Sequence, residues 1–321
     1  MDGALIQILP GVLLEGLLLG CVYAMIALGY TMVYGVLGLI NFAHSEIFMI
    51  GAVAGIEVFR YLHFAVPNPY LLLALGIVAG GAVAGLVAVC MERLAYRPLR
   101  RRGGGNRLVP LITAIGVSFF LQDLVRLIEG LWHNEFYMNY PSSPEMERVV
   151  RLPLHLEVPI KSIIVIVVSV VMMVGLSLLV KRTRLGKAIR AVAQDAQTAS
   201  LMGVNPDKII SQTFLIGGCL GGVAGVLFGV LFSQVNPFVG FMPGIKAFTA
   251  AVLGGIGSIP GAMVGGLVLG GIETVGGTYL PLLTGGAIGT EYTDVFAFLV
   301  LVLLLMFRPM GLLGKHEADK V

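Results

Sequence analysis

The chain has 321 residues, of which 57% are hydrophobic and only 12% charged, with a formal net charge of +3. Soluble domains carry about 25% charged residues, so this composition excludes a soluble globule, and so small a net charge gives no ground for a nucleic-acid partner. A mean hydropathy of +0.93 leaves an all-α polytopic membrane protein, read as one transmembrane domain over residues 1–321.

A helix crosses a bilayer in ~20 apolar residues. The first such stretch lies near 11–31. Met1-Asp2-Gly3 supplies no basic start and the run exceeds a leader's apolar core, so no cleavable signal is expected and the N-terminus is placed outside. Residues 32–42 are apolar but short, and read as a half-helix or re-entrant piece. Irregular backbone survives at membrane depth only where protein or a wet cavity satisfies it. Asn41, His44, Ser45 and Glu46 then fall within six residues, beside Phe42. Asn41 or Ser45 can cap the helix that starts near 43. Two readings remain open: a cap with His44 and Glu46 at a water boundary, or a lining for a solute route.

Further spans follow near 43–62 and 70–92, and residues 92–107 then carry six Arg against one Glu. After the span at 108–128 comes a loop, 130–161, in which Glu135, Glu145, Glu147 and Glu157 face Arg148, Arg151 and Lys161. The span at 160–180 ends in residues 181–190, with five basic residues and no acid. The positive-inside rule puts both basic loops and the tail, with Arg308, Lys315 and Lys320, in the cytoplasm, and 130–159 outside. Within the loop 181–210, residues 188, 189, 192, 196, 199 and 202 form an apolar or small stripe at helical spacing, predicting one amphipathic helix over 188–202 that Gly203 stops. Its Ala, Ser and Met suit docking on protein as well as lying on lipid.

Spans near 211–232, 261–280 and 293–308 complete a total of about eight. Residues 244–258, broken by glycines, read as a second half-spanning segment; with the tail cytoplasmic, either this segment connects the two sides or a neighbouring span does not cross. Val36-Leu37-Gly38-Leu39-Ile40 is similar to Val252-Leu253-Gly254-Gly255-Ile256, a candidate inverted repeat of the kind that brackets transport routes. Glycine occurs 44 times. Gly217, Gly221, Gly225 and Gly229 share one helix face, with Gly218 and Gly222 beside it; Gly76, Gly80, Gly81 and Gly85, and later Gly261, Gly265, Gly266 and Gly270, repeat that spacing. Such stripes let helices approach closely in lipid. Cys21, Cys90 and Cys219 sit in apolar runs without metal spacing and read as small core residues. Glu15, Glu57, Lys246 and Glu273 are ionisable groups in or near spans, with Lys246 and Glu273 a candidate pair.

No phosphate-binding G-x-x-x-x-G-K-[ST] occurs, the five histidines lack ligand spacing, and no Ser/His/Asp set is defensible. No enzyme activity, metal or cofactor is therefore expected.

Y-G-V-L-G-L-I-N-F-A-H-S-E at 34–46, G-K-A-I-R-A-V-A-Q-D-A-Q-T-A-S-L-M-G-V at 186–204 and A-V-L-G-G-I-G-S-I-P-G-A at 251–262 stand in order along the chain. Together they resemble the branched-chain amino-acid ABC transporter permeases, the smaller of the two permease subunits in length, although Ser45 stands where that family often has Gly. The resemblance implies a heterodimer with a second permease, two cytoplasmic ATP-binding subunits, and an extracytoplasmic binding protein that delivers branched-chain amino acids across a bacterial inner membrane. It makes Asn41, Phe42, His44, Ser45 and Glu46 candidate pathway residues, and Gly186, Arg190, Ala191, Asp195, Ala199 and Gly203 candidates for the ATPase-coupling helix, with Arg190 and Asp195 as the contacts. Urea or short amides as substrate, an ion-coupled carrier, and an assembly subunit without a pathway are the competing readings.

Overall fold

A computed structural model describes residues 2–39, 41–101, 108–141, 143–152, 156–287 and 289–314. Part of the arginine-rich loop, 102–107, and the tail lysines Lys315 and Lys320 lie outside the described residues.

The helices are α1 (Asp2–Leu37), α2 (His44–Leu62), α3 (Pro69–Met91), α4 (Arg97–Arg101), α5 (Leu108–Trp132), α6 (Ile160–Arg182), α7 (Arg184–Gln194), α8 (Ala196–Leu201), α9 (Pro206–Phe232), α10 (Phe241–Gly254), α11 (Ile259–Leu283) and α12 (Thr293–Phe307). A π-turn, Glu92–Tyr96, carries α3 into α4. Four short strands sit in the connections: β1 (Met138–Asn139) pairs antiparallel with β4 (Gln234–Val235), and β2 (Val149–Leu152) with β3 (Leu156–Pro159).

Seven helical runs are long and apolar enough to cross a membrane: α1, α3 with its extension, α5, α6, α9, α11 and α12 with its short lead-in. The eighth expected span, α2, has 19 residues and carries Glu46, Glu57 and Arg60. It is buried along most of its length, so protein takes the place of lipid around those charges.

The half-helix expected over 32–42 is a different object. Residues 32–37 continue α1 without interruption, because nothing before Gly38 breaks the helix; Gly38, at φ +65°, stops it. Among the described residues the irregular piece is only 38–39 and 41–43. The segment near 244–258 does form a short helix. At 14 residues α10 reaches about 21 Å, short of a ~30 Å hydrocarbon core. Gly240, just before it, packs on Ser45 and Glu46, so the loop 233–240 covers the missing depth. At its far end, Leu253 and Gly254 carbonyls accept from Leu312 and Leu313, which ties the chain's last described residues to α10.

The glycine stripes are seams, and each is divided among two or three neighbours. On α9, Gly217 faces Gly29 of α1, Gly221 and Gly225 face α2, and Gly218 and Gly222 face Ala84, Ala88 and Gly80 of α3. On α3, Gly76 and Gly80 meet α2, whereas Gly81 and Gly85 meet α9. On α11, Gly261 and Gly265 meet α10, whereas Gly266 and Gly270 meet Ala24, Gly20 and Gly16 of α1. The second quartet repeats the first at constant displacement. Helix pairings follow the same rule: α1 packs on α9, α10 and α11, α9 packs on α1, α2 and α3, and α2–α3 mirrors α10–α11. The chain therefore holds two related triplets, α1–α3 and α9–α11. The pentapeptide likeness between 36–40 and 252–256 does not follow this register. It arises because both segments end a helix, at Gly38 and at Gly255 with φ +102°.

Candidate functional site

The site begins where α1 stops. The Asn41 side-chain oxygen accepts the Ala43 N–H at 3.1 Å, and the Asn41 carbonyl accepts the His44 N–H at 3.1 Å. Asn41 thus supplies the cap. Ser45 instead donates its hydroxyl to the Phe42 carbonyl at 2.8 Å. The Asn41 oxygen has a second donor that the sequence did not suggest: the Tyr96 hydroxyl, at 2.6 Å.

His44 and Glu46 do not stand at a water boundary. His44 is 1% exposed and Glu46 0%. The imidazole packs edge-on against Tyr30, ring centroids 4.9 Å apart, in a space left by Gly29 and Gly221. A side chain at Gly29 would collide with it. His44 is therefore a packed core group, and Phe42 joins the same aromatic layer through Phe248 at 5.7 Å.

Glu46 is the polar centre. One carboxylate oxygen accepts from Gln122 at 2.8 Å and from Ser118 at 2.9 Å, and the Ser45 hydroxyl, 3.1 Å away, has a single hydrogen to share between this oxygen and the Phe42 carbonyl. The other oxygen, beside Gly240, has no hydrogen-bond partner. Ser118 and Gln122 lie roughly 15–21 Å along α5, so the carboxylate sits deep within the membrane-crossing layer. These groups open on a cleft of about 260 Å³ with a polar wall of Tyr30, Ser45, Ser118 and Gln122 and an apolar wall of Phe42, Ile115, Phe119, Phe241 and Ile245. Phe119 and Phe241 are 61% and 54% exposed, so the cleft is open on the α5 side. Sequence reasoning missed Ser118 and Gln122. Their spacing, one helical turn apart in an apolar span, was the available signal.

The charged pair expected between α10 and α11 forms: Lys246 reaches Glu273 at 2.7 Å. It also reaches Asp294 of α12 at 2.7 Å, with its ammonium 6.0 Å from the Tyr23 ring centre. This trio joins three helices across lipid-facing territory. Glu57 pairs with Arg60 at 3.0 Å, and Arg60 continues to Glu129 at 3.4 Å and to Glu135. Glu15 is exposed.

The loop after α6 departs from its expected form. The single helix over 188–202 is two helices, α7 and α8, broken at Asp195, whose backbone is extended. Asp195 caps α8, accepting from Gln197 at 2.9 Å and Thr198 at 3.2 Å. Arg190 donates to the Val180 carbonyl at the end of α6. Gly186, Ile189, Val192 and Ala199 are buried and Ala188 and Ala191 half-buried, so most of the small-residue stripe faces this chain's own helices, whereas its members Ala196 and Met202 are exposed. Gly186 admits the close return of α7 onto α6. Gly203, at φ +83°, turns the chain into α9. What faces outward is Leu201 and Met202, 86% and 80% exposed.

Residues 12–305 match a family model described as branched-chain amino acid transport system / permease component. The chain is 44% identical, over 96% of its length and 97% of the relative's, to the high-affinity branched-chain amino acid transport system permease protein BraD of Pseudomonas aeruginosa. It is 43% identical, over 96% of each, to the corresponding protein LivH of Escherichia coli strain K12. A probable branched-chain amino acid transport permease protein LivH of Methanocaldococcus jannaschii is 26% identical over 90% of this chain and 88% of the relative. No solved structure matches.

Proposed function

Because this chain belongs to the branched-chain amino acid transport system permease component family, we propose that it forms one side of an inward route for branched-chain amino acids through a bacterial cytoplasmic membrane. ATP is hydrolysed by two separate cytoplasmic subunits, an extracytoplasmic binding protein delivers the substrate, and a second permease completes the route. The basic loops and C-terminus face the cytoplasm, and the N-terminus faces outside.

The open cleft beside Glu46 carries this reading. Ser118 and Gln122 sit at membrane depth, where polar groups cannot be left to lipid. A neighbouring permease covering α5 and Phe241 would enclose them. The cleft also divides as the substrate does. Phe42, Ile115, Phe119, Phe241 and Ile245 suit a branched aliphatic side chain, and the Tyr30, Ser45, Ser118 and Gln122 side chains that line the opposite wall suit the polar head of an amino acid. Urea or a short amide has no use for so large an apolar wall. On the cytoplasmic face, Leu201 and Met202 are large apolar side chains held out on a short helix end. They suit the groove of an ATPase subunit better than Arg190 or Asp195, which are engaged within the chain.

Reconstitution tests the reading. The four-part membrane complex in liposomes should accumulate leucine only with ATP inside and binding protein outside. Accumulation by this chain alone on an electrochemical gradient would overturn it, and so would an accumulated urea signal in place of leucine.

A further inference from the structure

We propose that Tyr96 is a positioning residue that ties the cytoplasmic docking segment to the helix break at Asn41, so that movement of α8 is felt at the cleft. The inference rests on the coupling to ATPase subunits proposed above.

The linkage starts at α8. Between α8 and α9 the turn is closed by hydrogen bonds: Gly203 N–H to Ser200 at 3.0 Å, Val204 N–H to Ala199 at 3.1 Å, and the Asn205 side chain accepting from Lys208 N–H at 3.2 Å. Pro206 opens α9. Such a turn has little slack, so a displacement of α8 reaches the first turn of α9. There Asp207 is gripped twice. Arg97 donates to one oxygen through Nε at 3.1 Å and Nη2 at 3.0 Å, and Arg100 donates to the other at 2.7 Å. A two-pronged guanidinium–carboxylate pair fixes direction as well as distance. One turn further on, Ser211 donates to the fully buried Glu92 at 2.6 Å, and Arg100 donates to the other Glu92 oxygen at 3.1 Å. The first turns of α9 therefore hold both ends of the π-turn that contains Tyr96. π-turns of this kind recur at functional sites.

Tyr96 is the outlet. Its ring is 4% exposed and packs on Phe214, centroids 5.7 Å apart. Its hydroxyl meets the same Asn41 oxygen that holds the Ala43 N–H. A 2.6 Å bond that lengthens by about 1 Å is no longer a hydrogen bond. A shift of α9's first turn by that amount thus loosens the turn from which Phe42 and Ser45 enter the cleft. Fifty-five residues separate the two partners.

The test uses the assembled complex in liposomes and reads leucine accumulated per ATP hydrolysed. Tyr96→Phe keeps the ring against Phe214 and removes only the hydroxyl. It should retain ATP hydrolysis and lower leucine per ATP about fivefold, the value of one buried hydrogen bond. Asp207→Asn, at a half-exposed position, should give the same loss, and the double variant no more than either alone, because both cut one linkage. Unchanged leucine per ATP in Tyr96→Phe overturns the proposal, as do additive losses. Equal falls in ATP hydrolysis and uptake also overturn it, since they would mean general destabilisation. Should Tyr96→Phe fail to assemble, Asp207→Asn alone decides by the same ratio. A wild-type complex that needs no ATP would instead sink the transport reading, a result visible before any variant is made.

Discussion

Replacing Glu46 with alanine removes the acceptor for three donors. Ser45 keeps its bond to the Phe42 carbonyl, so two donors, Ser118 and Gln122, lose their partner. An orphaned buried donor costs ~1–3 kcal/mol; two at the lower figure make about 2 kcal/mol. For a chain of this size that is about 3 °C in melting temperature. Glu46→Gln keeps an oxygen for the same donors and removes the charge, so its melting should fall within about 2 °C of the wild type. Its leucine uptake should nevertheless drop about tenfold, because a neutral acceptor holds the cleft-lining Ser118 and Gln122 less firmly than a carboxylate does. The assay is thermal unfolding of the purified protein in detergent, run beside uptake by the assembled complex. Melting of Glu46→Ala with the wild type would refute the carboxylate as the organising node. Wild-type uptake by Glu46→Gln would refute its role in orienting the cleft wall.

A Cβ added at Gly222 would lie 2.5 Å from both the Gly80 carbonyl oxygen and the Ala84 methyl of α3. Gly222→Ala should therefore destabilise by ~1–3 kcal/mol, whereas Gly175→Ala, with nothing within 4 Å, should leave melting unchanged. Lys246→Met leaves Glu273 and Asp294 without their cation and should lower stability by ~3–5 kcal/mol, read as lost folded yield. Adding Glu273→Gln and Asp294→Asn should restore most of it. Leu201→Asp with Met202→Asp should reduce co-purified ATPase subunits severalfold while thermal unfolding of the isolated chain stays in place.

The amino-acid order alone decided that this chain lives in lipid, where most of its helices run, and which faces pack closely. Hydropathy and glycine spacing are local properties, repeated every few residues, and a span such as 211–232 displays them regardless of its neighbours. The cluster at 41–46 was equally visible, because polar groups inside an apolar run demand an explanation. Other features needed the folded chain. Residues 32–42 read as a separate short piece because they are apolar but too few to span, yet 32–37 continue α1 and Gly38, at positive φ, ends it. The stripe over 188–202 looked like one helix, but Asp195 gains more as the cap of α8 than as a member of a longer helix, and a periodicity count does not weigh that competition. The partners of Glu46 lie 72 and 76 residues away, and Tyr96 lies 55 residues from Asn41. Pairings over such distances carry no local signature. They are selected when the glycine seams bring α2, α3 and α9 together and α5 packs beside α2, and each buried polar group then bonds to whatever donor the packing has set beside it.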